Sequence, residues 1–156
     1  MENIEAKKKF LREEYTPMLS ALNPDAGRLW GKMNVQQMIE HMSDYVRIGS
    51  GRTQAEIVIP EEHLPKMQAF LMTEKPFREN TPNSLMPDEP LTVRHADIKD
   101  AIHELQEEIN YFFEVFSSTP DFKAIHPFFG QLDFDKSVQM LHKHAWHHLR
   151  QFGVSN

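Results

Sequence analysis

His144 and His148 stand four residues apart in the stretch from His142 to His148, which holds four of the chain's nine histidines. At about 100° per residue, such a pair lies some 40° apart on one face of a helix and one turn apart along it. Two imidazoles so placed can grip a single ion. The chain has no cysteine, which excludes disulfides, thiolate metal sites, iron–sulfur clusters and a cysteine nucleophile, so oxygen and nitrogen must carry any chemistry. His41, far off in sequence, offers a third imidazole. Three protein ligands leave one position open for water or substrate, the catalytic rather than the closed structural pattern.

The helices that must hold these side chains can be read from apolar spacing. On the last helix, predicted over Phe134 to Phe152 with Asp133 as cap and Gly153 as stop, Phe134, Val138, Leu141, Ala145, Leu149 and Phe152 form an apolar arc. His148 sits at the edge of that arc and His144 just beyond it, while His142 points toward solvent. His147 lies some 60° from His144 on the side away from the core and is the alternative ligand. Val35, Met38, Met42, Tyr45 and Val46 make the arc of the second helix, with His41 just outside it. Asn34 followed three residues later by Gln37 is a capping-box pattern, so that helix begins at Asn34 and runs to about Ile48, where Gly49, Ser50 and Gly51 stop it.

Elsewhere, residues Ile4 to Leu22 predict a first helix, kinked or ended early at Pro17, and His63 to Met72 a short one after Pro60. Ile98, Ile102, Leu105, Ile109, Phe112, Phe113 and Phe116 mark the longest helix, Asp97 to Ser117. Only Ala55 to Ile59 could pass as a strand. Thr73 to His95 carries Pro76, Pro82, Pro87 and Pro90 without helical period, and a stretch of that kind more often lies over a functional surface than dangles. His126-Pro127 reads either as a turn or as a loop reaching the site. The expectation is an all-α fold: a four-helix bundle with a short additional helix and a long Pro-rich crossover, in one domain over residues 1–156.

The 156 residues are 40% hydrophobic with a formal charge of -6. That length can bury a sizeable core, and the acidic balance argues against nucleic acid as partner. No apolar run is long enough for a membrane span and the N-terminus lacks a signal-peptide core, so the cytoplasm is the expected location. A zincin pattern is absent, because Ala145 and Trp146 follow His144 where a His-Glu-x-x-His site needs its glutamate. Glu40 and Asp44 are the nearest candidate bases, or plain surface charge. Gln151 is the candidate for a hydrogen bond that orients a ligand histidine, with Arg150 as the alternative or as a site for an anionic substrate. Trp30, Tyr45, Phe112, Phe113 and Phe116 read as core.

Trp30 followed by Gln37-Met38-Ile39-Glu40-His41-Met42, then His126-Pro127-Phe128-Phe129-Gly130, then His144-Ala145-Trp146-His147-His148-Leu149-Arg150-Gln151-Phe152, together resemble the DinB-like superfamily. Its YfiT-type members are four-helix bundles described as metal-dependent hydrolases, and the likeness covers most of the chain. The last motif is the most specific, within a branch marked by His-Pro-x-Phe-Gly and His-His-Leu-Arg-Gln-Phe. The resemblance implies that His41, His144 and His148 bind a divalent metal; three imidazoles suit several ions, and Zn, Ni, Fe or Mn is the expectation. It also implies frequent homodimers, and for some members the joining of low-molecular-weight thiols to electrophiles. The expected function is therefore a metal-dependent hydrolase or thiol-dependent transferase acting on a small molecule. A non-catalytic metal- or ligand-binding bundle, or a bundle whose histidines are merely polar core residues, are the rival readings.

Overall fold

In the computed structural model, residues 2–79 and 89–155 are described. The chain opens on a continuous helical run in three parts: α1 (Ile4–Lys9), a π-helical segment (Phe10–Glu14) and α2 (Tyr15–Ala21). Pro17 neither ends nor interrupts it. Proline lacks an N–H and its ring crowds the carbonyl one turn back; the wide turn just before it, where the Tyr15 N–H reaches the Phe10 carbonyl, is where that disturbance is absorbed. Phe10, Leu11, Tyr15 and Leu19 are buried along this run.

α3 (Val35–Ser50) starts on the capping box: the Gln37 N–H donates to Asn34 Oδ1 at 2.8 Å, and the Asn34 N–H donates to Gln37 Oε1 at 2.9 Å. It continues through Gly49 and Ser50, which were expected to stop it. A glycine inside a helix costs about 1 kcal/mol, and here the Phe112 ring packs against the backbone of Gly49. Gly51, at φ 78°, makes the actual end. α4 (Leu64–Leu71) follows a 3₁₀ turn (Glu61–His63), α5 (Ile98–Ser118) is capped by Asp97, and α6 (Phe134–Gln151) by Asp133. The bundle is built from the α1–α2 run, α3, α5 and α6, with α4 as the short extra helix. α3 and α5 form its most extensive helix pair. Met38, Ile39, Met42, Leu105, Ile109, Phe112, Leu141 and Leu149 fill the centre. Among the described residues no helix is long and apolar enough to cross a membrane.

Ala55 to Ile59 is not a strand; its Val58 N–H makes a single hydrogen bond to the Pro127 carbonyl at 2.9 Å. The strands lie instead in the connection before α6, where β1 (Ala124–His126) and β2 (Gly130–Leu132) form an antiparallel hairpin pairing His126 with Gly130. β1 packs on α3 and β2 on α6. Of the crossover, Pro82 and Pro87 lie outside the described residues, but both flanks are pinned. Lys143 Nζ donates to the carbonyls of Phe70, Thr73 and Lys75 at 3.4, 2.8 and 2.5 Å. On the far side, Gln37 Nε2 donates to the Leu91 carbonyl at 3.0 Å and Gln36 Nε2 to the His95 carbonyl at 2.9 Å.

Candidate metal centre

Three imidazoles meet between α3 and α6. His144 Nε2 lies 3.1 Å from His41 Nε2 and 3.0 Å from His148 Nε2, and one nitrogen from each ring falls within 4.8 Å of the others. An ion bound at about 2.0–2.1 Å by imidazole nitrogens spaces its ligand atoms roughly 3 Å or more apart, so the separations suit a shared ion. His144 and His148 are 9% and 5% exposed, and His41 is half-buried. Burial, aided by nearby His147, pushes His41 down to about 4. Burial and then the neighbouring histidines drive His144 and His148 well below the ordinary range. All three are thus neutral near pH 7, the form that binds metal.

Proton placement tests the fit. An imidazole nitrogen either carries a proton and donates, or is bare and accepts. Gln151 Nε2 donates to the Trp30 carbonyl at 2.9 Å, and a carbonyl can only accept, so Gln151 Oε1 is the atom 2.8 Å from His148 Nδ1. His148 therefore carries its proton on Nδ1 and turns a bare Nε2 toward His144. If His144 Nε2 is also bare, two lone pairs face each other; if it is protonated, its single hydrogen aligns well with only one of its two neighbours. Neutral imidazoles leave one contact mismatched in either state. A cation among three bare nitrogens removes the mismatch, and the residues present fit a divalent ion.

The sequence model of the DinB superfamily matches residues 10–152. The chain belongs to the DinB superfamily. No curated protein and no solved structure matches it.

In this DinB-superfamily chain the remaining candidates border the three-histidine cluster without joining it, His147 with its ring 5.0 Å from that of His148. His147 turns aside to the Phe77 backbone, with its ring against Trp30 at 5.4 Å and Phe77 at 6.1 Å. His126 makes the turn: its Nδ1 accepts the Phe128 N–H at 3.1 Å. Yet it is also buried, with burial lowering it to about 4, and it reaches the periphery of the site through Tyr45, 5.8 Å away. His142 does not point to solvent. It lies half-buried, edge-on to Phe10 at 5.2 Å, because the π segment of the first run covers that flank of α6.

Glu40 is neither surface charge nor a free base. It is 5% exposed, and its carboxylate accepts the N–H groups of Arg94 at 2.7 Å and His95 at 3.3 Å, and Gln36 Nε2 at 3.0 Å. Asp44 pairs with Arg47 at 3.1 Å and Arg94 at 3.2 Å. Gln151, not Arg150, supplies the hydrogen bond to the His148 ring. Trp30 is half-buried rather than core, and it serves the site through its carbonyl.

Two wall residues escaped sequence reasoning. Tyr45, counted as core, lays its ring 4.9 Å from both His41 and His144. Phe77, from the crossover, stands 6.2 Å from His144 and stacks on Phe129 at 6.0 Å. An aromatic residue in a Pro-rich stretch without period was the only available signal. Lys143, whose burial lowers it to about 8, holds the start of that crossover two residues before Phe77.

Proposed function

We propose that the chain binds one divalent ion through His41, His144 and His148 and works as a metal-dependent hydrolase or thiol-dependent transferase on a small molecule. The convergence of three neutral imidazoles on one point, with a proton mismatch that a cation relieves, carries the reading. A divalent ion there supplies acidification of a water or thiol at its open position. The chain's own part is to hold three nitrogens bare. Burial keeps them unprotonated, Gln151 fixes the His148 ring, and Tyr45 and Phe77 line the cluster with aromatic surface. Among the described residues no carboxylate joins the three histidines as a further ligand group, so the charge of a bound ion is left for water or substrate to balance, which favours an anionic donor such as hydroxide or thiolate.

A non-catalytic metal-binding bundle is the second reading. It draws on the commitment of Glu40 to backbone N–H groups and of Asp44 to two arginines, which leaves neither carboxylate free as a base. Elemental analysis of protein purified without an affinity tag decides the first point. One equivalent of metal in the wild type, lost in His41→Ala and His144→Ala, supports the site; no stoichiometric metal, or full retention in both variants, refutes it. Esterase and thiol-transfer panels run with and without chelator then separate enzyme from binder, and light scattering tests the homodimer that the family resemblance implies.

A further inference from the structure

Four residues that precede α3 by a few positions are docked on the end of α6, about 120 residues later in the chain. The Leu29 N–H donates to the Gln151 carbonyl at 2.7 Å, and Gln151 Nε2 donates to the Trp30 carbonyl at 2.9 Å. Arg28 Nε closes the loop on the Gly31 carbonyl at 2.9 Å. Gly31 has φ 76°, and a Cβ there would stand 2.7 Å from Gln151 Nε2. Glycine is thus needed twice: for the left-handed backbone, and for the space that the Gln151 amide occupies. Gln151 itself is 3% exposed, so its amide has little room to find other partners.

We propose that the Arg28–Gly31 loop is a positioning part of the metal centre, which orients the Gln151 amide through the Trp30 carbonyl and so sets the tautomer of His148. A free amide can present either end to a neighbour. With its NH₂ engaged by the Trp30 carbonyl, only the oxygen is left for His148 Nδ1, and that holds the His148 proton away from the site. Had the amide been reversed, its NH₂ would face Nδ1, the proton would move to Nε2, and one of the three donor nitrogens would be blocked. The inference rests on the proposed metal site for its purpose, but not for its geometry.

The test therefore has one arm without metal. In chelator-treated protein, ¹⁵N spectra of the imidazoles distinguish the two neutral tautomers, with His148 assigned through its own variant. Wild type is expected to show His148 protonated on Nδ1. Gly31→Ala and Gln151→Ala are each expected to bring up the Nε2-protonated form and to weaken zinc binding by tenfold or more in competition titrations, the range expected when a partner behind a metal ligand is lost. The double variant should bind no more weakly than the worse single one, because both act through the same amide. Gly27→Ala, in the same connection but with nothing within 4 Å of its Cβ, is the control and should match wild type. An unaltered His148 tautomer with wild-type zinc affinity in Gly31→Ala overturns the inference, as do fully additive losses in the double variant. Wild type that shows the Nδ1 form yet takes up no zinc refutes the metal reading while leaving the loop assignment standing.

Discussion

Replacing Glu40 with glutamine tests whether the carboxylate next to His41 anchors the crossover or serves the site. The buried carboxylate accepts three hydrogen bonds, two from backbone N–H groups 54 and 55 residues away. Glutamine keeps the shape, and its oxygen can still accept from Arg94 at Oε1. Its NH₂ then replaces Oε2 and meets two donors, the His95 N–H and Gln36 Nε2. Making the retained bond neutral costs about 1 kcal/mol, and facing donors with a donor costs about another 1 kcal/mol after water partly rescues them. A total of about 2 kcal/mol lowers the Tm by about 4–8 °C in a chain of this size. Thermal unfolding followed by circular dichroism reads that shift, and a zinc competition titration reads the site, where affinity should stay within a few-fold of wild type. A Tm within a degree of wild type, together with a tenfold or greater loss of zinc affinity, would refute the anchoring role.

Zinc at a hundredfold excess over its Kd should stabilise the wild type by about 2.7 kcal/mol, raising its Tm by several degrees, and His144→Ala should abolish the rise. Hydrogen bonds from Arg94 and Arg47 outweigh burial and bring Glu104 from 4.5 down to about 2. The partly open side chain reduces the benefit, by solvent screening, to about 1 kcal/mol. Because the folded value is depressed, that benefit is present above about pH 4.5 and lost as pH falls toward 2, so in urea titrations the gap between wild type and Glu104→Gln should close over that range. Gly51→Ala and Gly153→Ala both force alanine into a left-handed backbone at φ 78° and 85°, costing about 1 kcal/mol each. Only at Gly51 would the new Cβ meet a ring, that of Phe122 at 2.6 Å, so its loss in denaturant midpoint should be clearly the larger.

Local chemistry made much of this molecule readable. Asn34 with Gln37, Asp97 and Asp133 mark helix starts because a cap is written within four residues. His144 and His148 share a face because helical pitch requires it, and the same wheel placed His41 at the matching edge of α3. What one wheel cannot show is which neighbour covers a flank, and so His142 read as solvent-facing although Phe10 lies against it. Glu40 read as surface charge because the two backbone N–H groups that bury it come from residues 94 and 95; of its three partners only Gln36 is local. The strands Ala124–His126 and Gly130–Leu132 are too short to display an alternation.

The widened turn from Phe10 to Glu14 changes what the first helical run can do. A π segment amounts to one surplus residue in an α-helix, and one residue is worth about 100° of rotation. On one side of it α1 faces α6, with Lys7 reaching Gln139 at 2.8 Å; on the other side α2 faces α5, with Thr16 bonded to Gln106. The surplus residue is thus a phase shift that lets one helix serve two neighbours in succession. Deleting a single residue between positions 10 and 14 would restore regular pitch and swing α1 out of register with α6, stripping cover from the outer flank of the helix that carries His144 and His148.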